Sequence, residues 1–419
     1  MLKPPTMDGT RTRQLLIAGG LLIGLPLTLH LWETQFDRLN MGSVARHIER
    51  GDEALKEGKY LEAISAYGHA RELRPTDASI QQNLMRARAS LVAEQPMRIT
   101  GETAEELRYE ANFLFDNDRP RRATYLTVLG NISARTGNTD DARARFESAL
   151  KADPNSVVAH SATAIYLLNQ KDGAEKAKAE FEAVLKAKPD HAVALVGLAQ
   201  IALADNKPEA AVEKLEAALK LADDFTARML LGSAKQRLQK NDEAVTQYQR
   251  AAQLDPRNAE ALRSLGQALL ATNKPEEAEK ALRASAQLQQ DAQTVLALGF
   301  ALARQNKSDQ ALGMFSAVLQ QNPNDAPAMF GAGTALEGLG KKQDALAIYK
   351  KLAAIQVGQN APGGQLVAQL QQQAEQRMAA IEGRPAAQQQ QQSAPAPGGQ
   401  PPQGMGGAPQ PGTGIPGAR

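Results

Sequence analysis

Five histidines, His30, His47, His69, His160 and His191, are the first residues in this chain that could do chemistry. None stands at a metal-ligand or nucleophile–base spacing from another histidine or a carboxylate pair, so each reads as a surface or packed side chain. There is no cysteine, which removes disulfides, zinc–thiolate centres and thiol nucleophiles together. The stretch GAGTALEGLGKK at 331–342 resembles a phosphate-binding loop at a glance. It fails the spacing, because Ala335 stands where the first glycine belongs and Lys341 is followed by Lys342 instead of a hydroxyl residue. The cluster Arg119-Pro120-Arg121-Arg122 could meet a phosphate or an acidic patch, and reads more simply as a solvated loop. The sequons at Asn131 and Asn306 fall in repeat helices and turns and read as coincidence. Net charge is +2, which gives no strong field for nucleic acid or an anionic lipid surface. The expectation is a non-enzymatic chain with no cofactor and no metal.

What the residues do show is a period. Ala142, Ala177, Ala211, Ala244, Ala278, Ala311 and Ala345 follow one another at 35, 34, 33, 34, 33 and 34 residues. Four residues after each comes a large side chain: Phe146, Phe181, Leu215, Tyr248, Leu282, Phe315 and Tyr349. About twelve residues before five of the alanines stands a glycine: Gly130, Gly232, Gly266, Gly299 and Gly333. Pro154, Pro189, Pro256 and Pro323 follow at a matching distance. Self-similarity at this period marks an array of helix pairs in which small residues admit a neighbouring helix and one large residue fills the space beside them. A single pair cannot bury both its apolar faces, so stacking completes the core.

The pattern resembles the tetratricopeptide repeat family. Leu126, Leu129-Gly130, Ala142, Phe146, Ala149 and Pro154 carry its motif in full, and an earlier copy reads Arg50-Gly51, Ala63, Tyr67, Ala70, Pro75. The resemblance implies an all-α fold, a right-handed helical solenoid of helix–turn–helix repeats. It also implies a concave groove lined by the first helix of each repeat, with extended peptides or helices of other proteins as partners.

Taken in order, residues 1–13 carry Lys3, Arg11 and Arg13 against Asp8, and residues 15–32 are apolar until His30 and Trp32. That length is close to the minimum for a membrane helix, and no small-residue cleavage site follows it. We therefore expect a retained transmembrane signal anchor at 14–32, with a cleaved signal peptide as the alternative. Basic residues before the span place the N-terminus in the cytoplasm and the repeats in the periplasm, as in a single-pass protein of a bacterial inner membrane. Residues 44–93 read as the first repeat plus an extra helix, and 94–122 as a degenerate repeat or connector. The seven-repeat array occupies 123–357. Asp140, Pro208, Asp242, Pro275, Asp309 and Asp344 read as start signals of second helices. Gly137-Asn138, Asn206-Lys207, Lys240-Asn241, Asn273-Lys274, Asn306-Lys307 and Gly340-Lys341 read as the turns between helices. The third repeat carries one extra residue near Asp172-Gly173. Residues 365–382 read as a capping helix with Leu366, Leu370, Ala374, Met378 and Ile381 on one side, and 383–419 as a disordered Pro/Gly/Gln-rich tail.

Carrying the family's groove positions onto this chain gives Thr127, Asn131, Arg135, Gln200, Met229, Ser233, Arg237, Arg263, Gln267, Phe300, Arg304, Phe330 and Thr334. Members of the family that clamp a chaperone's terminal carboxylate use paired lysine and asparagine. Here Thr127, Ser161, Val196, Met229, Arg263, Leu296 and Phe330 stand where the lysine is expected, so that activity is not implied. The arginines could instead give charge-assisted hydrogen bonds to an acidic partner. The function expected is a scaffold for assembling an envelope complex, such as a pilus, a secretion or polysaccharide-export machine, or a cytochrome-assembly system. Two alternatives are a periplasmic holding chaperone for exported clients and a non-catalytic localising subunit of an enzyme. Self-association is a further option; nucleic acid is not an expected partner.

Overall fold

The structure, a computed structural model, describes residues 27–95, 99–356 and 364–383. Among the described residues there are nineteen α-helices, one short 3-10 turn and no strand. The expected segment 1–13, most of the span expected at 14–32 and nearly all of the tail expected at 383–419 lie outside them. Helix α1 (Leu27–Lys56) runs without a break from the end of the expected span into the first repeat. Among the described residues no helix is long and apolar enough to cross a membrane.

The chain divides into two units, one ending at Gln239 and one beginning at Lys240. In the first unit α1 pairs with α2 (Tyr60–Leu73), and α3 (Ala78–Glu94) packs on α2. Helix α4 (Gly101–Asn117) packs against both α3 and α5 (Arg122–Arg135), so the stretch expected as extra helix and connector supplies one irregular hairpin within the stack. Its core joins Val92, Ala93, Ile99, Leu107, Ala111, Leu114, Tyr125 and Leu129. Regular pairs follow: α5 with α6 (Thr139–Ala152), α7 (Val157–Leu168) with α8 (Ala174–Ala187), and α9 (Ala192–Ala204) with α10 (Pro208–Leu221). Helix α11 (Phe225–Arg237) closes this unit.

The second unit begins with α12 (Asn241–Leu254). It continues with α13 (Ala259–Ala271) on α14 (Pro275–Leu288), α15 (Ala292–Arg304) on α16 (Ser308–Gln321), and α17 (Ala326–Gly338) on α18 (Lys342–Ala353). Helix α19 (Gly364–Glu382) packs on both α17 and α18. Within each unit the first helices of successive repeats touch one another.

Packing explains the period. The seven repeat alanines are fully buried, and each large residue one turn later is at most 4% exposed. Where the first helix carries glycine, its bare backbone rests on that large side chain: Gly130 on Phe146, Gly266 on Leu282, Gly299 on Phe315 and Gly333 on Tyr349. Truncating one of these buried aromatics to alanine would cost about 3–5 kcal/mol.

The helix ends differ from the sequence expectation in a regular way. Apart from α6, which Asn138 caps through the Asp141 N–H, side-chain caps in the array sit on the first helices, where Ser156, Asp224, Asn258, Asp291 and Asp325 each accept the backbone N–H three residues on. The second helices are preceded by Lys207, Lys240, Lys274, Lys307 and Lys341, which make no side-chain cap. Asp140, Asp242, Asp309 and Asp344 lie inside the first turn, where a carboxylate favours the helix dipole, and Pro208 and Pro275 occupy its opening. The turn itself is a C-cap of the first helix. Asn206, Asn273, Asn306 and Gly340 adopt positive φ, and the N–H of the lysine after each reaches back to the carbonyl five residues earlier. In the fourth turn the left-handed residue is Gln239 (φ 60°), one position ahead of the expected Lys240-Asn241. In the longer turn between α7 and α8 it is Asp172, followed by Gly173, where a Cβ would sit 2.0 Å from the Leu167 carbonyl oxygen.

Candidate binding surface

The groove positions lie on first helices, and the structure separates them into three groups. Thr127 and Asn131 on α5 are buried. The Thr127 hydroxyl donates to the Ala123 carbonyl, and the Asn131 amide donates to the Val92 and Ala93 carbonyls at the end of α3. These two therefore correct the expectation: both are buried with their polar groups used inside the stack, and they present nothing to a partner.

The second group is the arginines at the ends of first helices. Arg135 donates to the Ile99 carbonyl at 3.0 Å, Arg237 to the Leu203 carbonyl and Arg304 to the Leu270 carbonyl. The last two reach back 34 residues to the C-terminal turn of the preceding first helix. A guanidinium there adds a charged donor to a carbonyl of the last turn and favours the negative end of the helix dipole. Their first role is to tie one repeat to the one before it. Repeat position alone did not reveal these intramolecular acceptors, because each lies on a neighbouring element.

The third group remains at the surface. Gln200 on α9 and Gln267 on α13 are exposed, and Met229 and Ser233 on α11 are half-buried. Arg263 is held by Gln293 at 2.7 Å, so α13 and α15 present a joined polar pair. Phe300 lies edge-on to the buried Phe315 at 5.0 Å and stays partly exposed. Phe330 is covered from one side by α19, with the Arg377 guanidinium 5.7 Å from its ring centre. The Thr334 hydroxyl donates to the Gly331 carbonyl.

A feature that the groove positions missed lies at the start of the first unit. Residues of α1, α3, α5 and α7, together with Tyr60 and Arg121, line a cavity of about 480 Å³. Beneath it Asp118, 5% exposed, accepts from the Tyr125 hydroxyl at 2.6 Å, Arg86 at 2.9 Å and Arg121 at 3.2 Å. Burial pushes the Asp118 carboxyl up, but these three donors outweigh it and hold it below the usual range. The cue in the sequence was the basic cluster at 119–122, which reads as a loop until the preceding repeat folds beside it.

Near this cavity, between α3 and α4, Arg88 bridges Glu106 at 2.8 Å and Glu110 at 2.7 Å. Glu110 is 5% exposed, and its second carboxylate oxygen has no partner among the described residues. Burial pushes its carboxyl up to about 7 against the pull of Arg88, with Glu106 adding to the rise and Arg71 opposing it. In the second unit Glu279 gathers Lys307, Arg283 and Gln305, which hold its carboxyl down to about 2.

His160 and His191 hold local structure, while His69 lies at the surface. His160 contacts the Glu180 carboxylate at 2.5 Å and the Pro154 carbonyl at 2.9 Å, and His191 caps α9 through the Ala194 N–H. Among the described residues no group of three or more histidines or carboxylates could hold a metal ion.

Comparison with known proteins follows this geometry. No curated protein matches the chain. Among solved structures, YrrB, described as a TPR protein with an unusual peptide-binding site, is 22% identical over 48% of this chain and 97% of its own, with a TM-score of 0.40. Pseudomonas aeruginosa pilF is 19% identical over 50% of this chain and 96% of its own, with a TM-score of 0.46. MamA from Desulfovibrio magneticus RS-1 is 18% identical over 43% and 96%, with a TM-score of 0.37. The tetratricopeptide repeat model matches residues 111–157, 127–175, 161–225 and 296–364, and a second TPR repeat model matches 232–273. Together they span more than half of the chain. The chain belongs to the tetratricopeptide repeat family.

Proposed function

We propose that this chain is a non-enzymatic interaction scaffold that binds a peptide or helical segment of other proteins on the inner side of its first helices. The observation that supports it is the division of labour on those helices. One side is stripped to glycine and alanine and buried on the second helix. The other side carries Gln200, Met229 and Ser233 in one unit and Arg263, Gln267 and Phe300 in the other, all with accessible surface. Polar amides beside a partly exposed aromatic suit an extended backbone, which offers both hydrogen-bonding groups and side chains.

The scaffold is held at a bacterial inner membrane by residues 14–32, with the repeats in the periplasm, where it assembles an envelope complex. This part rests on the apolar run and the basic residues ahead of it.

Photo-crosslinking in cells of the native source tests the reading, with the reactive residue replacing Gln267 or Met229. One dominant crosslinked protein, weakened by Arg263→Ala, is the expected result. No crosslinked protein at either position would overturn partner binding on this side. Protease accessibility of the repeats in spheroplasts tests the location; repeats protected from added protease would overturn the periplasmic placement.

A further inference from the structure

We infer that the cavity bounded by α1, α3, α5 and α7 receives a carboxylate of the partner peptide, which rests on the peptide-binding reading above and gives it a chemical class. The argument is a count of donors and acceptors. Arg86 spends Nε on Asp118 and one Nη1 hydrogen on Asn83, which leaves its Nη2 group without a partner among the described residues. Arg121 spends Nη1 on Asp118 and is half exposed. Lys56 faces the same cavity, and no described acidic side chain lies within ion-pair reach of it. Ser90 and Thr124, each with a hydroxyl, are among the residues of the wall.

Acceptors are scarce by comparison. Asp118 lies beneath the wall and does not line the cavity, and its Oδ2 already takes three donors. Asp52 is the one acidic residue lining the cavity among the described residues, and it already takes the Tyr67 hydroxyl at 2.6 Å. Tyr60, also on the wall, is turned outward onto Glu94 at 2.7 Å. Three cationic groups and two hydroxyls thus face a space with one partly used carboxylate, and a planar ligand rich in acceptors completes them. The scaffold holding the two guanidiniums is rigid, because both are fixed to a buried aspartate that the Tyr125 hydroxyl also anchors. Such a preset pair loses little side-chain freedom on binding. Apolar Leu55 and Val158 line the same cavity, which suits the methylene stem of an acidic side chain.

The test uses the full chain and a random dodecapeptide display library, presented once with free C-termini and once with both ends fused. Peptides enriched on the wild type are expected to carry Asp or Glu at one fixed place when both ends are fused. Enrichment confined to free C-termini without such a residue would assign the cavity to a terminal carboxylate instead of a side chain. Either class should bind the Lys56→Gln/Arg121→Gln variant about tenfold more weakly or worse, the scale of one lost charge-assisted hydrogen bond. Thr124→Glu places a carboxylate in the cavity from within and should reduce binding without removing any cationic donor; an unchanged circular dichroism spectrum and unfolding midpoint identify variants that remain folded. Enriched peptides that lack a carboxylate, or that bind these folded variants as well as wild type, overturn the inference and leave peptide binding standing. No enrichment in either format overturns the peptide-binding reading and this inference with it.

Discussion

Alanine at Gly299 and alanine at Gly313 should move stability in opposite directions, although the two sit on adjacent, packed helices. In a helix interior glycine is disfavoured against alanine by about 1 kcal/mol, so propensity alone favours both changes. At Gly313 a Cβ meets nothing within 4 Å, so the gain of about 0.5–1 kcal/mol should appear in full. At Gly299 a Cβ would lie 2.7 Å from Cε1 of Phe315 and 3.0 Å from two more ring carbons. That ring cannot retreat. It is fully buried, and a Cβ on Gly331 would lie 2.5 Å from it. Phe300 lies edge-on against it at 5.0 Å. Overpacking of a closed core costs about 1–3 kcal/mol and exceeds the propensity gain, so Gly299→Ala should destabilise by about 1–2 kcal/mol net. Urea unfolding followed by far-ultraviolet circular dichroism measures both variants. Because repeat arrays can open in parts, amide exchange along α15 and α16 should show where the loss falls. Phe315→Leu in the Gly299→Ala background should recover part of it, as a double-mutant cycle between touching residues. A Gly299→Ala protein as stable as the wild type would refute the claim that Phe315 rests on bare backbone.

Three further outcomes follow from particular contacts. The Glu110 carboxyl titrates near 7 when folded against an ordinary value of 4.5, so the folded state holds the extra proton between these values and stability falls as pH rises through that window. The penalty approaches about 3 kcal/mol above pH 7, and Glu110→Gln should remove it. The variant should gain on wild type at pH 8 and match it near pH 4, and parallel pH profiles would sink the assignment. Arg304→Met keeps the stem but loses the bond to the Leu270 carbonyl, and should cost about 1–2 kcal/mol, with faster amide exchange at the end of α13 as the local sign. Gln239→Gly relieves a left-handed residue with a Cβ and should raise stability by about 0.5 kcal/mol after the added unfolded-state entropy is counted; a lower unfolding midpoint would contradict this.

Much of the fold was legible because the same few residues recur. Alanine and its large partner one turn later fix which faces are buried, and all seven such pairs are buried. The helix starts were less legible. The eye settles on Asp242 or Asp309 as caps, while the left-handed residue just upstream, Gln239 or Asn306, already ends the previous helix and fixes the turn. The hairpin of α3 and α4 was harder, since its small residues do not keep the period and its core is shared with Ile99 and with Tyr125 of α5. Among groove residues, sequence position gives the side of a helix but not what lies across it. Asn131 reads as an inner-side residue, yet its amide is consumed by the end of α3. The cavity beside Arg86 and Arg121 was hidden for the same reason. It is assembled by helices from four successive hairpins, and no spacing within one repeat announces it.

Helix α19 occupies the seat that a further first helix would take. It lays Val367, Leu370, Met378 and Ile381 against the core of the last pair, while Gln371 caps the closing carbonyls of α18 and Arg377 bonds to Glu337. Growth of the array at this end is thereby stopped by competition: a newly duplicated repeat, or the open end of a second copy, would have to displace α19 before it could stack. A repeat inserted between pairs such as α13–α14 and α15–α16 would find the same buried alanines and the same glycine seats on both sides. The number of repeats can therefore change in the interior while the terminus stays closed, so the groove can lengthen without producing a self-polymerising end.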